Sequence, residues 1–181
     1  MRLFIAIELL DDIKECLSMI QNIMQEKILG KEDKIGLVKK EQMHLTLKFL
    51  GEVQPNNIKE IKDALKEIKL APFSVELGNI GVFPSENNIR VVWVGLKPED
   101  KIMELQKSID VQLKSLFKKE KSFKAHLTLA RVKHIKDKAA FISKLKNIKI
   151  DNKKISISSF KLIKSNLTPK GPVYEAIERF G

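Results

Sequence analysis

Apolar positions along this chain alternate between a spacing of two and a spacing of three to four, which divides it into short strands and amphipathic helices. Arg2 to Glu8 reads as a strand. From Asp11 to Ile28 the apolar residues Ile13, Leu17, Ile20, Met24 and Ile28 step by three or four. That spacing predicts a helix, with Asp11 and Asp12 placed to cap it or to complement its dipole. Gly30 to Asp33 is a polar break, and Ile35 to Val38 reads as a short strand before a longer one from Met43 to Leu50. Gly51 ends that strand, and Pro55 suits the first turn of a helix whose face is Ile58, Ile61, Leu65 and Ile68. Phe73 to Leu77 alternates as a strand. Gly78 to Gly81 and Pro84 to Asn88 are rich in turn residues.

The second half starts the same series again. Arg90 to Leu96 is a strand, and Ile102, Leu105, Ile109, Leu113 and Leu116 mark a helix after Pro98. A lysine-rich loop, Lys118 to Lys124, leads to a strand from Ala125 to Val132. A helix from about Lys136 to Ile148 and a long strand from Ile155 to Ile163 follow. A turn at Pro169 to Pro172 then leads to a last strand, Val173 to Phe180. Each half reads strand, helix, strand, helix, strand. The expected fold class is therefore α+β: a bilobal, pseudo-two-fold duplication of antiparallel sheets with helices on their outer faces. The pseudo-repeats are about 1–85 and 86–181. No linker rich in Pro, Gly or Ser separates them, so residues 1–181 are expected to form one compact unit.

The middle strands of the two halves carry the same phrase, His44-Leu45-Thr46-Leu47 and His126-Leu127-Thr128-Leu129, 82 residues apart. The chain has three histidines and three threonines, and two of the histidines are followed two places later by a threonine. Strand alternation turns His44 and Thr46, and likewise His126 and Thr128, to one face, with leucines entering the core behind them. Either copy alone reads as an ordinary strand with a half-buried histidine. Two copies at mirrored positions point to chemistry. A pair of imidazoles about one phosphate suits in-line displacement, since one takes a proton while the other gives one near neutral pH. The hydroxyls suit hydrogen bonding to the non-bridging oxygens.

With these motifs in place, the chain resembles the two-histidine phosphoesterases, and within them the RNA 2′,3′-cyclic phosphodiesterase branch, also called the 2′-5′ RNA ligases. The likeness runs through the opening Met1-Arg2-Leu3-Phe4-Ile5-Ala6-Ile7, the extended motif from His44 to Gly51, and Gly81 to Pro84. It continues through Arg90 to Val94, the motif from His126 to Arg131, and Ser165 to Tyr174. The resemblance implies the bilobal fold and hydrolysis of RNA 2′,3′-cyclic phosphate ends to 2′-phosphomonoesters, with His44 as proton donor and His126 as proton acceptor. It also implies reversible 2′-5′ ligation in some members, with tRNA halves as candidate substrates. A monomer is expected, and the single cysteine points to a cytoplasmic location. A non-catalytic RNA-binding module of the same fold is the alternative, as is an enzyme acting on a small cyclic nucleotide.

Further residues enter as candidates. Lys48 falls on the His44 face if its strand is regular, where it either meets phosphate or is simply an exposed lysine. Arg131 closes the second motif, but strict alternation puts it opposite His126, so it needs a bulge to reach the cleft. Phe83 suits base stacking or a core edge. Trp93 reads as core, His134 as surface, and Cys16 as a buried structural thiol; Ser165 and Tyr174 match the closing pattern with no chemical role assigned. No metal or cofactor is expected. The sequence has no His-x-His, no Asp-x-Asp, no spaced Cys/His cluster and no phosphate loop ending in Lys-Ser or Lys-Thr.

Charge adds one further fact. The first 85 residues carry 12 Lys+Arg and 13 Asp+Glu, and the remainder carries 22 and 10, so the net +11 resides wholly in the second half. Such an asymmetry suits a polyanionic partner held on one face. Apolar runs are too short to cross a bilayer, no basic-then-apolar leader opens the chain, and a single cysteine makes no internal disulfide.

Overall fold

The structure, a computed structural model, describes residues 1–169 and 171–181. Within them nine strands and four α-helices follow in the order β1 (Arg2–Glu8), α1 (Asp11–Ile23), β2 (Lys34–Leu37), β3 (His44–Glu52), α2 (Ile58–Lys66), β4 (Phe73–Ser85), β5 (Asn88–Lys97), α3 (Asp100–Gln112), β6 (His126–His134), α4 (Lys138–Lys146), β7 (Lys154–Ile157), β8 (Phe160–Thr168) and β9 (Gly171–Phe180). The pairings are antiparallel and the order is β7-β4-β5-β6-β3-β1-β8-β9, with β2 added on β6. Three strands flank the β6–β3 pair on each side. The α+β class and the two repeated halves expected from the sequence are therefore present, and β6 and β3 are the central strands.

The lobes interleave. β4 pairs with β5 and β7, and β8 pairs with β1 and β9, so each lobe draws strands from both halves of the sequence. α1 packs against β6 and α3 against β3, crossing the midline. One core joins the helices to the sheet. It is formed by Ile13, Leu17, Ile20 and Met24 of the first helical segment, Ile61 and Leu65 of α2, Ile102, Leu105 and Ile109 of α3, Phe141 and Leu145 of α4, and the inward residues of the strands. On the opposite face Phe4, Ala6 and Ile163 form a second, small apolar patch capped by Tyr174.

The elements differ from the sequence expectations in three places. The first helix is α-helical only to Ile23, and a π-helical turn, Met24–Ile28, completes it. β4 does not stop at Leu77 but runs on through Gly78 and Gly81 as far as Ser85, taking in Pro84 and Ser85 of the expected second turn. The glycines that suggest a turn instead allow close packing: a Cβ on Gly78 would lie 3.3 Å from the Gly95 backbone, and one on Gly81 only 2.3 Å from Trp93 Cζ2. The strand expected from Ile155 to Ile163 divides at Ser158-Ser159, its first part joining β4 and its second β1. Trp93 is half-buried rather than core, because its ring stands on the Gly81 side of β5. Cys16 is half-buried at the core edge and His134 is exposed. The expected turn from Pro169 to Pro172 includes Lys170, which lies outside the described residues.

Candidate functional site

β3 and β6 touch at a single register pair, Leu45 with Leu127, and diverge on either side. Antiparallel register about that pair sets His44 opposite Thr128 and Thr46 opposite His126. Leu45 and Leu127 are buried beneath the sheet. Their neighbours His44, Thr46, His126 and Thr128 are half-buried and face the other way. The local two-fold thus passes between the two leucines, and all four motif side chains share one face.

Each imidazole is fixed in the same way. His44 Nδ1 donates to the Gln42 carbonyl (2.7 Å) and His126 Nδ1 donates to the Lys124 carbonyl (2.8 Å). With Nδ1–H so engaged, Nε2 is the nitrogen available to a ligand. His44 Nε2 lies 2.9 Å from the Thr46 hydroxyl. Gln42 also donates through Nε2 to the Pro172 carbonyl (2.7 Å), tying the start of β9 to the turn before β3.

Aromatic rings complete both settings. His44 packs against Phe4 (centroids 4.9 Å) and edge-on to Tyr174 (5.3 Å). His126 meets Phe83 edge-on at 4.9 Å and Trp93 at 6.4 Å, and Phe83 lies 4.9 Å from Trp93. The Lys124 ammonium stands over the Trp93 ring at 5.2 Å. Phe83 is therefore beside a motif histidine rather than plugging the core edge. Burial lowers the pKa of both histidines. For His44 the charges of His126, Arg131 and Lys14 lower it further against the Gln42 carbonyl; for His126 the Lys124 charge does so against the Lys124 carbonyl.

A bulge repeated in both motif strands decides the fate of two candidates. On β3 the pairing to β1 shifts between Thr46 and Lys48, and on β6 the pairing to β5 shifts between Thr128 and Ala130. The extra residues are Leu47 and Leu129. Leu47 and Lys48 are consequently both buried, as are Leu129 and Ala130, and the alternation resumes out of phase. Arg131 emerges on the histidine face, close enough to His44 and Tyr174 to act on their protonation. Lys48 does the reverse. It points into the core, where it pairs with Asp110 (2.5 Å, side chains 3% exposed each) and donates to the Lys118 carbonyl (2.8 Å). The expectation that Lys48 reaches phosphate is thus overturned, because the strand is not regular.

Sequence reading missed the residues that hold this geometry. Buried Gln21 on α1 donates to the carbonyls of Val38 and of the bulge residue Leu129, both at 2.8 Å. Asp110 on α3, at the mirrored place, accepts from Lys48, from Gln106 (2.9 Å) and from the Glu120 amide (3.1 Å). A buried glutamine and a buried aspartate at matching helix positions were the available signal. Among the described residues no three His, Cys, Asp or Glu side chains gather where they could hold a metal ion, and no helix is long and apolar enough to cross a membrane.

The pattern of the LigT-like phosphoesterases matches residues 8–93 and again 94–174. The chain is 40% identical to an RNA 2′,3′-cyclic phosphodiesterase of Methanocaldococcus jannaschii, over 99% of this chain and 100% of that one. It is 36% identical to one of Archaeoglobus fulgidus, over 99% of each. Among solved structures, a Thermus thermophilus protein, TT0787, superposes with a TM-score of 0.81 at 27% identity, over 99% of this chain and 97% of that one. LigT of E. coli has the same fold, with a TM-score of 0.77 at 23% identity, over 98% and 95%.

Proposed function

The chain belongs to the LigT-like phosphoesterases of the two-histidine superfamily, and from that premise we propose that it opens RNA 2′,3′-cyclic phosphate ends to 2′-phosphomonoesters. It is a hydrolase of the cyclic phosphodiesterase type, as are the relatives matched over their full length. The observation that carries the reading is the Leu45–Leu127 pivot, which presents two Nδ1-anchored imidazoles and two threonine hydroxyls on one face.

In the proposed reaction the phosphate lies between the histidines. His126 Nε2 takes a proton from water, whose oxygen forms a bond to phosphorus. The bond from phosphorus to the 3′ oxygen breaks, and His44 Nε2 gives its proton to that oxygen, leaving a 2′-phosphate and a 3′-hydroxyl. Thr46 and Thr128 donate hydrogen bonds to the non-bridging oxygens as charge develops there. Arg131 adds a guanidinium to the same face, and Phe83 an aromatic wall beside His126. In the free protein burial lowers the pKa of both rings; an anionic phosphate between them opposes this and favours a protonated His44. No step calls on a metal or a cofactor. A 5′-hydroxyl in place of water would give 2′-5′ ligation by the same proton transfers. The working unit in this reading is a monomeric, cytoplasmic enzyme folded as one unit over residues 1–181, with the ends of tRNA halves among its substrates.

The test is turnover of an RNA carrying a 2′,3′-cyclic phosphate by chelator-treated protein, with the phosphate position of the product read out. A 2′-phosphate is expected. A 3′-phosphate product, or activity that vanishes with chelation and returns with zinc, overturns the mechanism. Binding of that RNA without any turnover would establish the RNA-binding module instead, and preference for a 2′,3′-cyclic mononucleotide would establish the small-nucleotide enzyme.

A further inference from the structure

Two hydrogen-bonded ties cross the midline of the sheet, and each joins one motif strand to the segment that delivers the other histidine. In the first, the Leu129 carbonyl of β6 accepts from the Val38 N–H (2.9 Å) and from the Gln21 side-chain amide (2.8 Å), which also donates to the Val38 carbonyl (2.8 Å). Val38 opens the segment that leads to Gln42, whose carbonyl anchors His44. In the second, the Lys48 ammonium of β3 donates to the Lys118 carbonyl (2.8 Å), and its partner Asp110 accepts from the Glu120 N–H (3.1 Å). Those two residues open the segment that leads to Lys124, whose carbonyl anchors His126. Val38 and Glu120 each precede their histidine by six residues, so the ties fall at matching places in the repeat.

The two ends of a tie are not equally held. Lys48 and Leu129 lie in central strands with a partner on either side, whereas Val38 to Met43 and Lys118 to Ala125 lie outside the strands. Loss of a tie therefore frees the segment before it frees the strand. Gln21, Lys48 and Asp110 are 6%, 4% and 5% exposed, which shields the ties from competition with water. Each ring keeps its tautomer through the bond from Nδ1 to a carbonyl of the tied segment. We infer that Gln21 is a positioning residue for His44 and the Lys48–Asp110 pair one for His126, each clamping the segment that presents one histidine to the strand that presents the other. This rests on the reading of the two histidines as acid and base of a phosphodiesterase. The spacing of the imidazoles is then set by buried residues of α1 and α3 as well as by the Leu45–Leu127 pivot.

The experiment pairs ring spectra with kinetics. Two-bond ¹H–¹⁵N correlation spectra read the tautomer of each imidazole, and exposed His134 is the internal control. The proteins are wild type, Gln21→Met, and the double variant Lys48→Met with Asp110→Leu. The double variant removes both charges together, so the fold is retained while Lys118 and Glu120 lose their partners. Gln21→Asn keeps the amide but shortens its reach, and replaces Gln21→Met if that variant does not fold. Gln21→Met should release His44 from its Nδ1–H form and leave His126 in it, and the double variant should do the converse. Each should lower kcat on a 2′,3′-cyclic-phosphate RNA by about 10- to 100-fold with KM little changed, since a misplacement of about 1 Å has that effect. Rings that keep their tautomers, an unchanged kcat, or equal disturbance of both rings in each variant overturns the inference. Tautomers that depend on the ties in a protein without wild-type turnover would defeat the phosphodiesterase reading and leave the ties standing; turnover with ring spectra indifferent to the ties would do the opposite.

Discussion

Replacing Lys48 by Met tests whether the bulge in β3 is held by the buried pair beneath it. The side chains of Lys48 and Asp110 are each 3% exposed, and Asp110 keeps only the Gln106 amide and the Glu120 N–H once the ammonium is gone. Removing one partner of a buried pair costs about 3–5 kcal/mol because the other charge stays buried and uncompensated. For a protein of this size that is a fall in Tm of about 6–20 °C, given about 2–4 °C per kcal/mol. The assay is urea and thermal unfolding at pH 7, with Lys48→Met, Asp110→Leu and the double variant in one cycle. The double variant should recover most of the loss, since an apolar pair of similar volume is tolerated where a lone charge is not. The pH dependence follows from Asp110. Burial pushes its pKa up, but Lys48, Gln106 and the Glu120 amide together hold it below the ordinary value. Its stabilisation is thus present above the unfolded pKa and lost as pH falls through the folded one. In Lys48→Met the ammonium's contributions are lost while burial remains, so the folded pKa rises. The penalty is then full at neutral pH and relieved on acidification, so the gap to wild type narrows as pH falls. A loss below about 1 kcal/mol, or a double variant as unstable as Lys48→Met, would refute the reasoning.

Three further outcomes are expected. The profile of kcat/KM against pH should be bell-shaped with its maximum below 6.5, because burial lowers both histidines and one must still carry a proton; an optimum above about pH 7 contradicts this. Gly81→Ala puts a Cβ 2.3 Å from Trp93 Cζ2, so the indole must shift away from its place beside His126 and Phe83. A loss of about 1–3 kcal/mol is expected, with a changed emission from the single tryptophan and a fall in turnover; unchanged fluorescence and rate would show that the ring is free to move. Neutralising Lys118, Lys119, Lys121 and Lys124 should flatten the salt dependence of RNA binding, by up to about 0.7 in the log–log slope for each phosphate no longer neutralised, more than removing four lysines from the first 85 residues. Equal effects would mean that the charge asymmetry is compositional only.

Much of this was legible in the chain. The periodicities located the four helices, and the duplicated His-x-Thr phrase located the two central strands, because both signals are local. What the sequence concealed was set by residues distant along the chain. The bulges at Leu47 and Leu129 obey no local turn signal; they are stabilised by Asp110 and Gln21 on helices that cross to the other lobe. Strict alternation therefore misassigned Lys48 and left Arg131 on the wrong face. A comparison of the two motifs offers a hint in retrospect, since Lys48 aligns with Ala130 and Phe49 with Arg131. The glycines of β4 suggested a turn because their purpose, making room for Trp93 and for the Gly95 backbone, lies on a different strand. Gln42 gave no signal at all. Its carbonyl holds His44 while its side chain holds Pro172, 130 residues away.

The central claim is that His44 and His126 act on one phosphate as a unit. It is tested most directly by single-turnover rates on a 2′,3′-cyclic-phosphate RNA for His44→Ala, His126→Ala and the double variant. Each single replacement should lower the rate by about 10²- to 10⁴-fold, and the double variant should be little slower than the slower single one. Losses that multiply in the double variant, or either single variant retaining near wild-type rate, would contradict it.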